Sequence, residues 1–389
     1  MGFWSKHRRT ILITTGVLGC GYALYRFYSW KKQITLDLDN DLFPSDQDSD
    51  KIIRDALQSH FKNIQGISET ITLPHAMGNL RLRINKDFDL SPLLEKVQGQ
   101  QLNKPLQMNE KLIIWDKIKI LSFTKITTSV WAMVVTFLYV RVQVNILGRQ
   151  LYMETAQGFL DSEEQDESGA FNRHAQKVFL ETSDFLTKFG FTSLISKMEV
   201  ATEHVLKNMK LTEYFNPAHL SQTIMEILGL FINNGKTDSW VNCVLPPNAA
   251  YYQNTPGMLS NRLNDPNTPG MLDQLLSEAR NVLLSIDFRN IVQSTTRIVV
   301  DGLMDDLSME LNNTINFSDR HPLVKLLSRV AKLSDAVIEE VGVNKYIKRI
   351  CSIPDVELFF TLLYTDIPQQ TMSSLSESDK ASTSSTSVS

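Results

Sequence analysis

The chain has 389 residues, with 39 basic and 43 acidic side chains and a formal net charge of -4, a balance that excludes a generally basic nucleic-acid binder. With 42% hydrophobic and 21% charged residues, most of it can bury a core. Cys20, Cys243 and Cys351 lie far apart without a CxxC pair, so neither a disulfide framework nor a zinc site is encoded, and no metal or cofactor is expected.

A basic segment, residues 1–9 with Lys6, His7, Arg8 and Arg9, precedes an uncharged run from Thr10 through Ile11, Leu12, Gly16 and Gly19 to Tyr25. As a helix this run spans about 24 Å, short of a hydrocarbon core of about 30 Å. Continuation past a snorkelling Arg26 to Trp30 closes the gap, with Tyr22, Tyr25, Tyr28 and Trp30 as an interfacial belt. Residues 10–30 are therefore predicted to be a retained transmembrane anchor. A signal peptide has the same basic start and apolar middle, but no small-x-small cleavage site follows the run. Lysine and arginine are balanced across the two flanks, so orientation is not legible. Residues 31–50, with Asp37, Asp39, Asp41, Asp46, Asp48 and Asp50, read as an acidic linker.

The body, residues 51–368, reads as an all-α, elongated multi-helix bundle. From Leu106 to Leu147 neither proline nor glycine interrupts the chain, which predicts one long helix beginning near Asn109 as its N-cap. Its uncharged middle, Ile126 to Val140, is short for a membrane span and is followed at once by Arg141, Gln143 and Asn145, so a core helix is expected. Val140, Val142, Val144 and Ile146 alternate with those polar residues in a strand-like pattern. The comparable run, Leu80 to Ile84, would set arginines against arginines if paired with it, so helix is expected at both.

Apolar spacing of three and four predicts further helices around Phe179 to Ile195, and over Met198–Met209, Leu220–Ile232, Gln274–Leu284, Phe288–Leu307, Leu323–Val341 and Val356–Tyr364. The expected interruptions are Asp161 to His174 and a loop of about 245–272, which carries NTPGML at Asn254–Leu259 and again at Asn267–Leu272. Residues 369–389 are rich in serine and threonine and are expected to form a disordered tail.

No Walker loop, HExxH or GxSxG motif occurs, and the seven histidines are scattered, so no catalytic residue is assigned. Asp301, Asp305, Asp306 and Glu310 can share a helix face, as an acid/base pair or as a solvated surface. What the composition suits is binding. In Lys111 to Lys125, Trp115 and Ile118 share a helix face near Lys111, Lys119 and Lys125. Such a face would receive an amphipathic acidic helix, or Trp115 is a core residue. A membrane-bound enzyme and a structural tether of another organelle membrane are the competing readings.

The segment KLIIWDKIKILSFTKITTSVWAMVVTFLYVRVQVNILGRQLYMETA, residues 111–156, resembles the central segment of the peroxin-3 family of peroxisomal biogenesis factors. The basic KHRR before a glycine-bearing anchor, HFKNIQGISETITLPHAMGNL at 60–80 and LFFTLLYTDIPQ at 358–369 resemble the plant members especially. The resemblance implies a single-pass protein of the peroxisomal membrane whose helical domain faces the cytosol. There it would dock peroxin-19, the import receptor that carries newly made membrane proteins, through that receptor's N-terminal amphipathic helix. It further implies that Trp115 is the docking tryptophan with Lys111 and Ile118 beside it, and that Leu94 in SPLLEK and Lys325 in HPLVKLL belong to the same groove. Membrane lipids are the other expected contact, and no nucleic acid or small-molecule substrate is expected.

Overall fold

The computed structural model describes residues 68–98, 107–158, 166–233, 240–253, 268–314 and 320–365, with a few positions between 59 and 66. The predicted anchor, including Thr10, Ile11, Leu12, Gly16, Gly19 and Tyr25, lies outside the described residues, as do the acidic linker and the tail. A π-helical turn, Ser68–Thr72, leads into α1 (Leu73–Asp87), followed by α2 (Ser91–Gln98) and α3 (Met108–Gly158). Then come α4 (Asp166–Glu181), α5 (Phe191–Leu206), α6 (Pro217–Asn233) and the short α7 (Val241–Val244) and α8 (Ala249–Gln253). α9 (Thr268–Leu284), α10 (Ile286–Thr314), α11 (Leu323–Val337), α12 (Lys345–Cys351) and α13 (Pro354–Thr365) complete the series. The fold is all-α, and the two-residue strands β1 (Tyr214–Phe215) and β2 (His321–Pro322) pair antiparallel in one small ladder.

α3 organises the rest. Its 51 residues extend about 76 Å at 1.5 Å per residue. α1, α5, α10, α11 and α13 all pack against it. From Ile126 to Arg149 every residue is buried, including the alternating stretch Val140–Ile146, which is helical as expected. Length and composition would let this helix cross a membrane, yet its apolar window is wholly enclosed by protein, which makes it a core helix. Trp131 meets Phe231 of α6 edge-on at 5.1 Å and Trp240 at 5.8 Å, and Trp240 in turn stacks on Phe288 of α10 at 6.3 Å. One aromatic cluster thus ties four segments together.

Tyr139, Gln143, Arg141 and Arg149, buried on α3, reach neighbouring elements. Tyr139 hydroxyl and Thr182 Oγ1 are 2.6 Å apart, and Gln143 Nε2 donates to Phe179 O at 2.6 Å and to Thr182 Oγ1 at 2.8 Å. Burial pushes the Tyr139 phenol far up, so it stays neutral and hydrogen-bonds as a hydroxyl. The Arg141 guanidinium sits over the rings of Phe137 at 5.4 Å and Phe360 at 5.0 Å. Arg149 is ion-paired with Glu278 of α9 and donates to Leu363 O of α13 at 3.0 Å. These contacts fasten α4, α9 and α13 to the central helix.

Three expectations are corrected. Asn109 is not the cap of α3: Gln107 precedes the first turn, and Glu110 reaches back to accept from the Gln107 N–H at 3.1 Å, the carboxylate half of a capping box. The expected polar break at Asp161–His174 is helical from Asp166 onward, because Ala175, Val178, Phe179 and Leu180 bury the far end of the same helix. The helix expected to reach Val341 stops at Val337. There the buried Asn344 takes over, accepting from the N–H groups of Tyr346 and Ile347 as N-cap of α12.

Gly190 marks the tightest backbone approach. A Cβ there would collide with the Cys243 carbonyl of α7, whereas one at Gly78, within α1, meets nothing within 4 Å. Gly190→Ala is expected to lower stability by about 1–3 kcal/mol through overpacking. Gly78→Ala should instead be neutral or stabilising by up to about 1 kcal/mol, because alanine loses less backbone entropy in a helix. Chemical denaturation followed by circular dichroism reads both, and an equal response at the two glycines would contradict the packing described.

Candidate docking site

The inward stripe of α3 runs out of cover at its N-terminal end. Met108, Leu112 and Trp115 follow the i, i+4, i+7 spacing of a single helix face. Ile118 is 1% exposed and Lys119 5%, Ile114 and Trp115 are half-buried, and Met108 and Leu112 are 73% and 46% exposed. Ile113, on another side of the same turns, is 69% exposed. A large aliphatic side chain left in water forgoes about 1.5–3 kcal/mol of burial, so Met108 and Leu112, continuing the Trp115 face, form an apolar surface without a partner among the described residues.

Other segments complete this shelf. α2 packs on α3 and contributes the half-buried Leu93, Leu94 and Val97. Its start is set by Asp89, which accepts from the Ser91 N–H at 3.0 Å; that bond holds the Asp89 carboxyl below the usual carboxylate range, with Lys125 adding to the effect. The strap after α5, residues 207–216, brings the half-buried Met209 and Leu211. Its Leu211 and Glu213 carbonyls accept from the N–H groups of Val324 and Leu323 at 3.0 and 2.8 Å, which fixes the first turn of α11 and the exposed Lys325 on it. Through these bonds the strap joins the Lys119 level of α3 to the first turn of α11, which carries Lys325. Lys96, Lys117 and Lys325 are exposed and Lys111 is half-buried, and Lys117, two residues beyond Trp115, lies on the opposite side of α3.

Two of the predicted cations do other work. Lys119 is buried and bound to backbone carbonyls, and Lys125 pairs with Asp335 at 3.2 Å. Ile118 lies in the core and is not open to a partner, unlike the half-buried Trp115. Sequence reasoning passed over Met108, Leu112 and Ile113, although the Met108–Leu112–Trp115 spacing carried the signal for two of them.

Three of the four carboxylates singled out on α10, Asp305, Asp306 and Glu310, are tied into ion pairs. Asp306 pairs with Lys345 and accepts from the Tyr346 hydroxyl, Asp305 lies 3.8 Å from Arg349, and Glu310 lies 3.8 Å from Arg329. They link α10 to α12 and α11 as surface ties. A groove of about 910 Å³ between α9, α10 and α13, lined by Arg149, Glu278, Asp287, Leu358 and Leu362 among others, includes none of the predicted docking residues.

The Peroxin-3 family profile matches residues 91–366, a span that takes in Leu94, Lys111, Trp115, Ile118 and Lys325. The chain belongs to the Peroxin-3 family. It is 36% identical over 369 residues to Peroxisome biogenesis protein 3-2 of Arabidopsis thaliana, covering 95% of this chain and 99% of that protein. It is 24% identical over 393 residues to Peroxisomal biogenesis factor 3 of Homo sapiens, with 95% and 97% covered. It is 22% identical over 452 residues to a protein of Komagataella phaffii named Peroxisomal membrane protein PEX3, with 94% and 98% covered. In this family member the apolar shelf and its lysines fall inside the matched span, as does the whole of α3.

Burial raises the Asp306 carboxyl, but the bonds from Lys345 and Tyr346 and the nearby charges outweigh it and hold the group below the ordinary range. A depressed carboxylate stabilises the fold above its unfolded value near 4 and loses that contribution as pH falls through the folded value. Asp306→Asn should therefore cost stability at pH 6, and the gap to the unaltered protein should close as pH drops below about 4. Urea titrations across that range measure it, and a gap independent of pH would contradict the pairing.

Proposed function

We propose that this chain is a docking receptor of the peroxisomal membrane, held by a single span at residues 10–30 with its helical domain in the cytosol. On this reading it receives peroxin-19 loaded with newly made membrane proteins, enables their insertion and so serves peroxisome biogenesis, without catalysis. The observation that carries the proposal is the loss of cover along the inward face of α3. A stripe that is core from Ile118 onward continues as the exposed Met108 and Leu112 and the half-buried Trp115. The shelf is long enough for two to three turns of a partner helix.

Charge selects the kind of helix. Lys96, Lys111 and Lys325 favour an amphipathic helix that buries aliphatic or aromatic side chains against Trp115 and Leu94 and turns acids toward the lysines. The first-turn amide groups of α3 add positive potential at the same end. Family membership and the names of the relatives support the peroxisomal setting.

Trp115→Ala is expected to weaken binding of a peptide of the import receptor's N-terminal helix by about 2 kcal/mol, roughly thirtyfold, with the helical signal and melting temperature retained. Titration calorimetry measures it, and unchanged affinity would remove Trp115 from the site. The location is tested separately: residues 1–45 fused to a fluorescent protein should collect on peroxisomes, and accumulation on another organelle would favour a tether elsewhere.

A further inference from the structure

Lys119 stands one helical turn beyond Trp115 on α3, yet its ammonium is directed into the protein. It donates to Met209 O at 2.8 Å and to Leu206 O at 3.5 Å, and it pairs with Asp116 Oδ1 at 3.1 Å. The three N–H donors of a lysine are therefore all answered. A buried ammonium costs several kcal/mol in desolvation, and a methionine would fill the same space without that cost. The partners it has chosen show what the charge does here.

Leu206 is the last residue of α5 and Met209 lies in the turn that follows, where a helix leaves carbonyls without intrahelical donors. Lys119 caps that end and so anchors the start of the 207–216 strap. The strap then performs a second capping. α11 begins after Pro322, which supplies no side-chain cap. Its Leu323 and Val324 N–H groups are taken by the strap carbonyls of Glu213 and Leu211, and β1 pairs with β2 immediately before them. Lys325 is the next residue. A continuous chain of bonds therefore runs from α3 through the strap to the first turn of α11, which carries the exposed Lys325.

We propose that Lys119 is a positioning residue of the docking site: through the strap it holds the first turn of α11, and with it Lys325, in register with Trp115. This inference rests on the docking reading. It predicts an energetic coupling between Lys119 and Lys325, two side chains that do not touch the same atoms. The strap's own half-buried Met209 and Leu211 are placed by the same bonds.

The test is a double-mutant cycle on the full chain in detergent micelles, with the import receptor's N-terminal helix as a fluorescent peptide probe. Lys325→Ala should weaken binding at least fivefold in the otherwise unaltered chain and less than twofold when Lys119→Met is present. Lys119→Met alone should weaken it about tenfold, and Lys119→Arg should recover part of the loss. Hydrogen exchange adds a readout independent of the partner. In Lys119→Met the amides of Leu323 and Val324 should lose at least tenfold in protection while those of α6 keep theirs. Additive effects of the two substitutions, or unchanged protection at Leu323 and Val324, would overturn the proposal. If Lys119→Met does not fold, Lys119→Gln, which keeps neutral donors, carries the same cycle and the same criteria. Should Trp115→Ala and Lys325→Ala both leave the affinity unchanged, the docking reading fails, and the exchange measurement still decides whether Lys119 holds the strap.

Discussion

A helix buried on every side has no face on which to leave a polar group unanswered, and α3 is such a helix for most of its length. Its composition is not purely apolar: Arg141, Gln143, Asn145 and Arg149 are all buried. Each would be costly in an apolar surround without a partner; Asn145 bonds the Arg141 carbonyl of its own helix, and neighbouring elements meet the other three. Gln143 is met by α4 and the turn after it, Arg141 by the Phe360 ring of α13, and Arg149 by Glu278 of α9 and the Leu363 carbonyl. Elements far apart in sequence are thereby assigned specific positions around one rod. Apolar packing alone would hold them less selectively, because aliphatic contacts have little directionality.

The same constraint explains why the candidate site lies where it does. Enclosure needs surrounding elements, and among the described residues they give out one by one at the N-terminal end of α3. α2 has only eight residues, the strap crosses once, and α11 starts at the level of that crossing. The stripe outlasts its cover, and what would be core further along becomes a shelf at Met108 to Trp115. A partner helix laid there would complete the enclosure and, by binding only the folded state, stabilise the body by mass action.

Much of this was legible in the sequence because long-range order had a local signature. The absence of proline and glycine from Leu106 to Leu147 exposed α3, and the three-and-four spacing exposed α6, α9, α10 and α13. Where the reading wavered, the physics erased the signal. Total burial of Val140–Ile146 removes the periodicity that separates helix from strand, since no face is left to be polar. The acidic start of α4 looked like a break because the buried Ala175, Val178, Phe179 and Leu180 lie in the second half of that helix, away from the acids. The two-residue ladder of β1 and β2 has too few residues to leave a pattern at all.

The site was legible only in pieces for a related reason. Trp115, Lys111 and Ile118 share one helix and one motif, so spacing suggested a surface. Leu94 and Lys325 entered through family resemblance, because nothing local connects positions 94 and 325 to position 115. The bonds that tie the first turn of α11 to the strap, and the strap to α3, end on main-chain carbonyls, and a carbonyl acceptor has no residue identity to read. Lys119 shows the consequence most clearly: by sequence it is one more lysine on a basic turn, and its role depends on carbonyls at Leu206 and Met209, some ninety residues away. Side-chain chemistry therefore announces which surface can bind, while the placement of that surface is written in main-chain bonds that the sequence does not name.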